Sequence, residues 1–186
     1  MSSDSANLVI LASNQPLPLN YSYLQEAFRD PIVRRELEKT NIASPEAVLS
    51  RMSLTPKGVN HLVESVKPNS DDLNQLEYEV GKTYESITFN GENILLLSEN
   101  MGQPAKYVDW GNATKDEIST RMSTVAMEAI KFGHIVSAYS WARASIEEKD
   151  NDVAKRVLKY LEALDKRRLR NTLAQPLMTT PSLMKK

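Results

Sequence analysis

Four basic side chains fall within five positions in "LDKRRLRN", residues 164 to 171, as Lys166, Arg167, Arg168 and Arg170. With Lys155 and Lys159 two to three turns upstream, they could line several turns of one helix and bind phosphate by counterion release. From Lys149 onward ten Lys and Arg face four Asp and Glu, a net charge of +6; the chain totals −1, which leaves the first 148 residues at −7. The run also suits two roles that involve no nucleic acid. Cations in a last helical turn interact favourably with the helix dipole, by ~0.3–1 kcal/mol each at a surface. A subunit basic at one end and acidic elsewhere can also complement its own neighbour in a head-to-tail assembly. Only Tyr160 interleaves with these cations, which weakens a single-strand stacking platform.

Catalytic and metal chemistries find less support. There is no Cys, so disulfides, thiol nucleophiles, iron–sulfur clusters and Cys-based zinc sites are excluded. His61 and His134 lie on separate segments, and neither has a second ligand-type residue at a recognised metal spacing. No G-x-S-x-G elbow occurs, and the six glycines are too scattered to cradle a phosphate. The acids of "SDDLNQLEYE" fit a helix N-terminus, and "EEKDND" fits a solvated turn without the Gly and distal Glu of a calcium loop. The sequence therefore predicts no enzyme, no cofactor and no metal. Trp110 and Trp141 are the largest side chains; Trp141 reads as core, and Trp110 as core or as a partner-facing anchor.

The elements that position these residues are mostly helical. A length of 186 residues, 41% hydrophobic and 25% charged, suits one globular domain, and no apolar run approaches the ~20 residues of a bilayer span. "MSSDSANLVIL" lacks the basic start of a secretory signal, so the expected location is intracellular, including the interior of a virus particle. Residues 1–20, with "QPLPLN", read as an N-terminal arm. Two short helices follow over Tyr21–Thr40, divided at Pro31, with Leu24, Phe28, Ile32 and Leu37 near helical spacing. Ser44–Pro45 and Thr55–Pro56 each spell an N-cap followed by proline at the first helical position. Val59, Leu62, Val63 and Val66 suggest one apolar stripe, and Ser70 caps a further helix with Leu73, Leu76 and Val80 facing inward.

Asn90–Gly91 between two β-prone runs predicts an antiparallel hairpin over about residues 86–98, with a third strand at 106–110. Thr114 caps a long helix marked by Ile118, Met122, Val125, Ala129, Phe132, Val136 and Tyr139. Its many small residues, among them Ser119, Ser123, Ala126, Gly133, Ala142 and Ser145, suit close helix approach and the centre of the fold. Val153, Val157, Tyr160, Leu161 and Leu164 define a last amphipathic helix, and residues 172–186 form a C-terminal arm.

The resulting expectation is a mainly α domain over 21–171 with a small β-hairpin and two arms. Both arms carry apolar residues that would prefer a partner to water: Leu17 and Leu19 in the first, Leu177, Met178, Leu183 and Met184 in the second. With Trp110, these are the expected partner contacts. The favoured function is a structural subunit that self-assembles through its arms, in the manner of virus or phage coat and connector proteins. The partners are then copies of itself, with RNA or DNA second and no membrane. Alternatives are a nucleic-acid-binding protein using the basic helix, and a small adaptor whose arm docks in another protein's groove.

Overall fold

The computed structural model describes residues 19–52, 54–64 and 102–174, with side chains described to residue 164. Seven α-helices occur among the described residues: α1 (Tyr21–Arg29), α2 (Pro31–Glu38), α3 (Pro45–Ser50), α4 (Pro56–Val63), α5 (Lys115–Lys131), α6 (Ile135–Glu148) and α7 (Asp152–Ala174). Two short strands, β1 (Leu19–Asn20) and β2 (Val108–Asp109), pair in parallel, and a 3-10 turn covers Pro104–Tyr107. The helix expected after Ser70 and the hairpin expected over 86–98 lie outside the described residues. The strand expected at 106–110 is present as Val108–Asp109, but it pairs in parallel with Leu19–Asn20.

The helix starts follow from local chemistry. Asn20, Asp30, Ser44, Thr55 and Thr114 each accept a hydrogen bond from a backbone N–H in the first turn, satisfying donors that the helix leaves unpaired. Thr114 and Glu117 close a reciprocal capping box, and these bonds to Thr114 hold the exposed Glu117 carboxyl below its usual range. Pro31 ends α1 and starts α2, as its fixed φ and missing N–H require. That break changes the helical phase: Leu24 packs against the core, whereas Ile32 is left 63% exposed.

The long helix expected from Thr114 is two helices. The backbone turns at Gly133, which takes φ +77°. The His134 N–H donates to the Ala129 carbonyl at 2.9 Å and the Gly133 N–H donates to that of Ile130 at 2.9 Å, the double bond of a Schellman stop. α6 then folds back on α5. The small residues foreseen for close approach are the ones that meet: Ser119, Ser123, Ala126 and Ala129 of α5 and Ser137, Ala138, Ala142 and Ser145 of α6 are all buried. Side chains of this size let helices pack near the short end of the ordinary ~8–10 Å separation. Val136 and Tyr139, expected to face inward, are exposed because α6 turns its Ala138–Trp141–Ala142–Ser145 edge to the core.

The α5–α6 interface also carries a polar seam. Ser145 Oγ donates to the Ser119 carbonyl at 2.7 Å, and Ser119 Oγ lies 3.0 Å from both the carbonyl and the hydroxyl of Ser145. Asn151 ties this seam to the next helix. Its Nδ2 donates to Ser119 Oγ at 3.1 Å, while its Oδ1 accepts from the N–H groups of Val153 and Ala154, capping α7. Both buried hydroxyls of the reciprocal pair therefore have partners, as buried polar groups require.

α3 packs on α5, α7 packs on α6 and α5, and α1 packs on α3. The shared core joins Tyr21, Leu49, Val108, Met122, Val125, Trp141, Val157 and Leu161. In α4 the inward edge is Thr55, Gly58 and the half-buried Leu62; Val59 and Val63 of the expected stripe are exposed. The Thr55 cap of α4 is tucked beside Gly102.

Candidate interaction surface

β1 brings the end of the expected N-terminal arm into the body. Leu19 packs against the core, and Asn20 Nδ2 donates to Asp109 Oδ2 at 3.1 Å while its Oδ1 caps α1. Leu19 and Asn20, at the end of the expected arm, pair in parallel with Val108 and Asp109. Leu17, Leu177, Met178, Leu183 and Met184 lie outside the described residues. Trp110 follows β2 and packs against the core, its ring 5.3 Å from that of Tyr21 and 6.4 Å, edge to face, from that of Trp141. The Arg121 guanidinium covers Tyr21, 4.3 Å from the centroid of its ring. Tyr21 is buried and its hydroxyl donates to Glu46. Burial, then the bond to Glu46, pushes the Tyr21 hydroxyl well above the usual tyrosine range, so this group is a structural clamp.

The basic residues divide along α7. Lys155 and Lys159 are exposed in the first half of the helix. Lys155 pairs with Asp150 and, at 3.7 Å, with Asp152, and the bond to Asp150 raises its pKa. It is thus partly neutralised by the turn that precedes it. Lys166, Arg167, Arg168 and Arg170 all lie on α7, which runs unbroken past Asn171 to Ala174. At 100° per residue, positions 155, 159, 166 and 170 fall within a sector of about 60°, while the buried Val157 and Leu161 lie on the opposite side. Position 168 falls in line with Val157 and Leu161, and position 167 lies between the two sectors.

His61 is exposed, 3.7 Å from Glu64, and His134 places Nδ1 3.2 Å from the Ser50 carbonyl beside the Gly133 turn. Among the described residues no group of three or more His, Cys, Asp or Glu side chains is placed to hold a metal ion. No helix among them is long and apolar enough to cross a membrane.

The surface feature that sequence reasoning missed is a groove between α5 and α7, about 320 Å³ in volume. Met127, Ile130, Val153, Val157 and Tyr160 line it, with Arg156 as its charged member. Met127 is 40% and Tyr160 50% exposed, although the periodicity assigned Tyr160 to the buried stripe. The signal was the width of that stripe: Val157 and Leu161 already fill the inward edge, which leaves Tyr160 at its margin. A second exposed apolar patch lies where α1 meets α2, with Tyr23 78% exposed beside Ile32 and Val33.

Comparison with protein-family models, curated proteins and solved structures finds no match to this chain.

Proposed function

We propose that this protein is a non-enzymatic structural subunit that associates with copies of itself through its terminal arms, as the coat and connector components of virus particles do. The observation that carries this reading is the distribution of large apolar side chains over separate faces of the domain. Tyr23 and Ile32 stand on α1–α2, Val59 and Val63 on α4, Val136 and Tyr139 on α6, and Met127 and Tyr160 beside the groove of α5 and α7. A single-partner adaptor needs one such patch, whereas a repeating subunit meets several neighbours. The basic segment from Lys149 onward and the acidic remainder of the chain supply complementary contacts between successive copies.

Light scattering after size separation tests the reading. The full chain is expected to form species larger than a monomer that shrink on dilution and respond to salt. A chain that stays monomeric at high concentration in both low and high salt refutes it.

A second reading, compatible with the first, has the basic side of α7 contact nucleic acid. The alignment of positions 155, 159, 166 and 170 favours it. Replacing Lys159, Lys166 and Arg170 with Ser should then weaken oligonucleotide binding and flatten its salt dependence. Binding unchanged by the triple substitution removes this second reading and leaves the first intact.

A further inference from the structure

We infer that Trp141, Trp110 and Tyr21 form a one-electron relay, in which an oxidised indole of the core takes an electron from Tyr21 while the Tyr21 hydroxyl passes its proton to Glu46. The three rings are continuous: Trp110 stands between Trp141, 6.4 Å away edge to face, and Tyr21, 5.3 Å away. Centroid separations of this size bring aromatic rings into contact, and an electron crosses such a contact without a mediator. The series also has a direction. The indole Nε1 groups of Trp110 and Trp141 are buried and have no hydrogen-bond partner among the described residues. An indole radical cation formed there has no base at its N–H, and a buried charge without a partner is costly. Tyr21 differs from both, because its hydroxyl already donates to the Glu46 carboxylate.

The transfer balances atom by atom. A one-electron oxidant removes an electron from an indole and is itself reduced. Tyr21 returns an electron to that indole, its O–H bond breaks, and the proton forms a new O–H bond on Glu46. The products are an intact tryptophan, a neutral tyrosyl radical and a neutral glutamic acid, so no charge is left on any ring. Arg121 couples the two movements. Its guanidinium, 4.3 Å from the centroid of the Tyr21 ring, opposes positive charge on that ring, so the electron leaves together with the proton. Tyr21 is buried, which shields the resulting radical from solvent, and the half-buried Glu46 returns its proton to water. The relay thus draws oxidation away from Trp141 at the centre of the core to the contact of α1 with α3, a role separate from assembly.

Pulse radiolysis of the full chain at neutral pH tests this, with the azide radical as the one-electron oxidant of tryptophan. The indolyl absorbance should decay as the tyrosyl absorbance grows, in a first-order step whose rate does not change with protein concentration. Tyr21→Phe, which removes one oxygen and keeps the ring, should abolish that step. Tyr23→Phe, two residues along the same helix and 78% exposed, should leave it intact. Glu46→Gln keeps a hydrogen-bond acceptor but removes the base, and should slow the step by about a hundredfold. Trp110→Phe leaves Trp141 as the sole indole of the chain, and its radical should then persist. Absence of the conversion in the wild-type chain, its survival in Tyr21→Phe, or a rate indifferent to Glu46→Gln each overturns the relay. A rate that rises in proportion to protein concentration overturns it too, since the electron then passes between molecules.

Discussion

Gly102 offers a sharp test of how α4 is held to the domain. It takes φ +71°, and a Cβ built there would lie 2.8 Å from Thr55 Oγ1 and 3.5 Å from Thr55 Cγ2. Thr55 is 1% exposed, and its Oγ1 accepts the Gly58 N–H that opens α4. Alanine at position 102 therefore incurs two costs. Holding a non-glycine residue at positive φ costs about 1 kcal/mol. Displacing the Thr55 hydroxyl from its capping position costs about 1 kcal/mol more. The expected total for Gly102→Ala is about 2–3 kcal/mol. Gly133 supplies the control, since it has φ +77° but no atom within 4 Å of a built Cβ, so Gly133→Ala should cost only about 1 kcal/mol. Urea unfolding followed by the fluorescence of the core-packed Trp110 and Trp141 reports both values from midpoint and slope. In a Thr55→Ala background the obstacle is gone, and Gly102→Ala should fall to the cost of the Gly133 change. Equal costs for the two glycines in the wild-type background, or a Gly102 cost indifferent to Thr55, would refute the steric argument.

Two further perturbations probe the core. Ser119→Ala removes the nearer of the two hydroxyl acceptors of Asn151 Nδ2 and one half of the reciprocal serine pair, so it should destabilise by about 1–2 kcal/mol. Combined with Ser145→Ala the effects should be non-additive by at least about 0.5 kcal/mol in a double-mutant cycle, and simple additivity would show that the two hydroxyls act separately. Tyr21 gives an alkaline signature. Because burial and Glu46 raise its folded pKa, the native state binds that proton more tightly than the unfolded chain. Its contribution is complete below pH ~10 and declines above it by about 1.4 kcal/mol per pH unit until the folded pKa is reached. The stability difference between wild type and Tyr21→Phe should therefore be flat from about pH 7 to 9 and fall above about 10; parallel curves throughout would remove the clamp role of the hydroxyl.

The parts of the fold that were legible in the sequence are those decided within a few residues. Ser44–Pro45, Thr55–Pro56 and Thr114 with Glu117 each start a helix where their side chains can cap it, and Pro31 divides α1 from α2 for reasons contained in its ring. What the sequence obscured depended on distant partners or on phase. The apolar spacing runs through Phe132, Gly133 and His134 without interruption, and only the left-handed glycine reveals that the helix stops there. The pairing of Leu19 with Val108 joins residues 89 positions apart, and no local pattern announces it. The basic run was visible, but the restraint of Lys155 by Asp150 and Asp152 was not, because it depends on how the turn before α7 closes. The groove escaped notice for a related reason. A periodicity of about 3.6 marks which side of α7 is apolar, but not where α5 stops covering it.

The α5–α6 hairpin bears on the order in which the molecule is made. Its interface, the small-residue contact with the serine seam, joins segments linked by only Phe132, Gly133 and His134, so the entropy of closing that loop is low. Contacts so local in sequence form early in folding, and those across long separations, such as β1 with β2, form later. A chain emerging from synthesis can thus complete its central hairpin before the segment beyond Ala174 exists. On the proposed arrangement, the arm that commits the domain to its neighbour is then made after the domain's central hairpin.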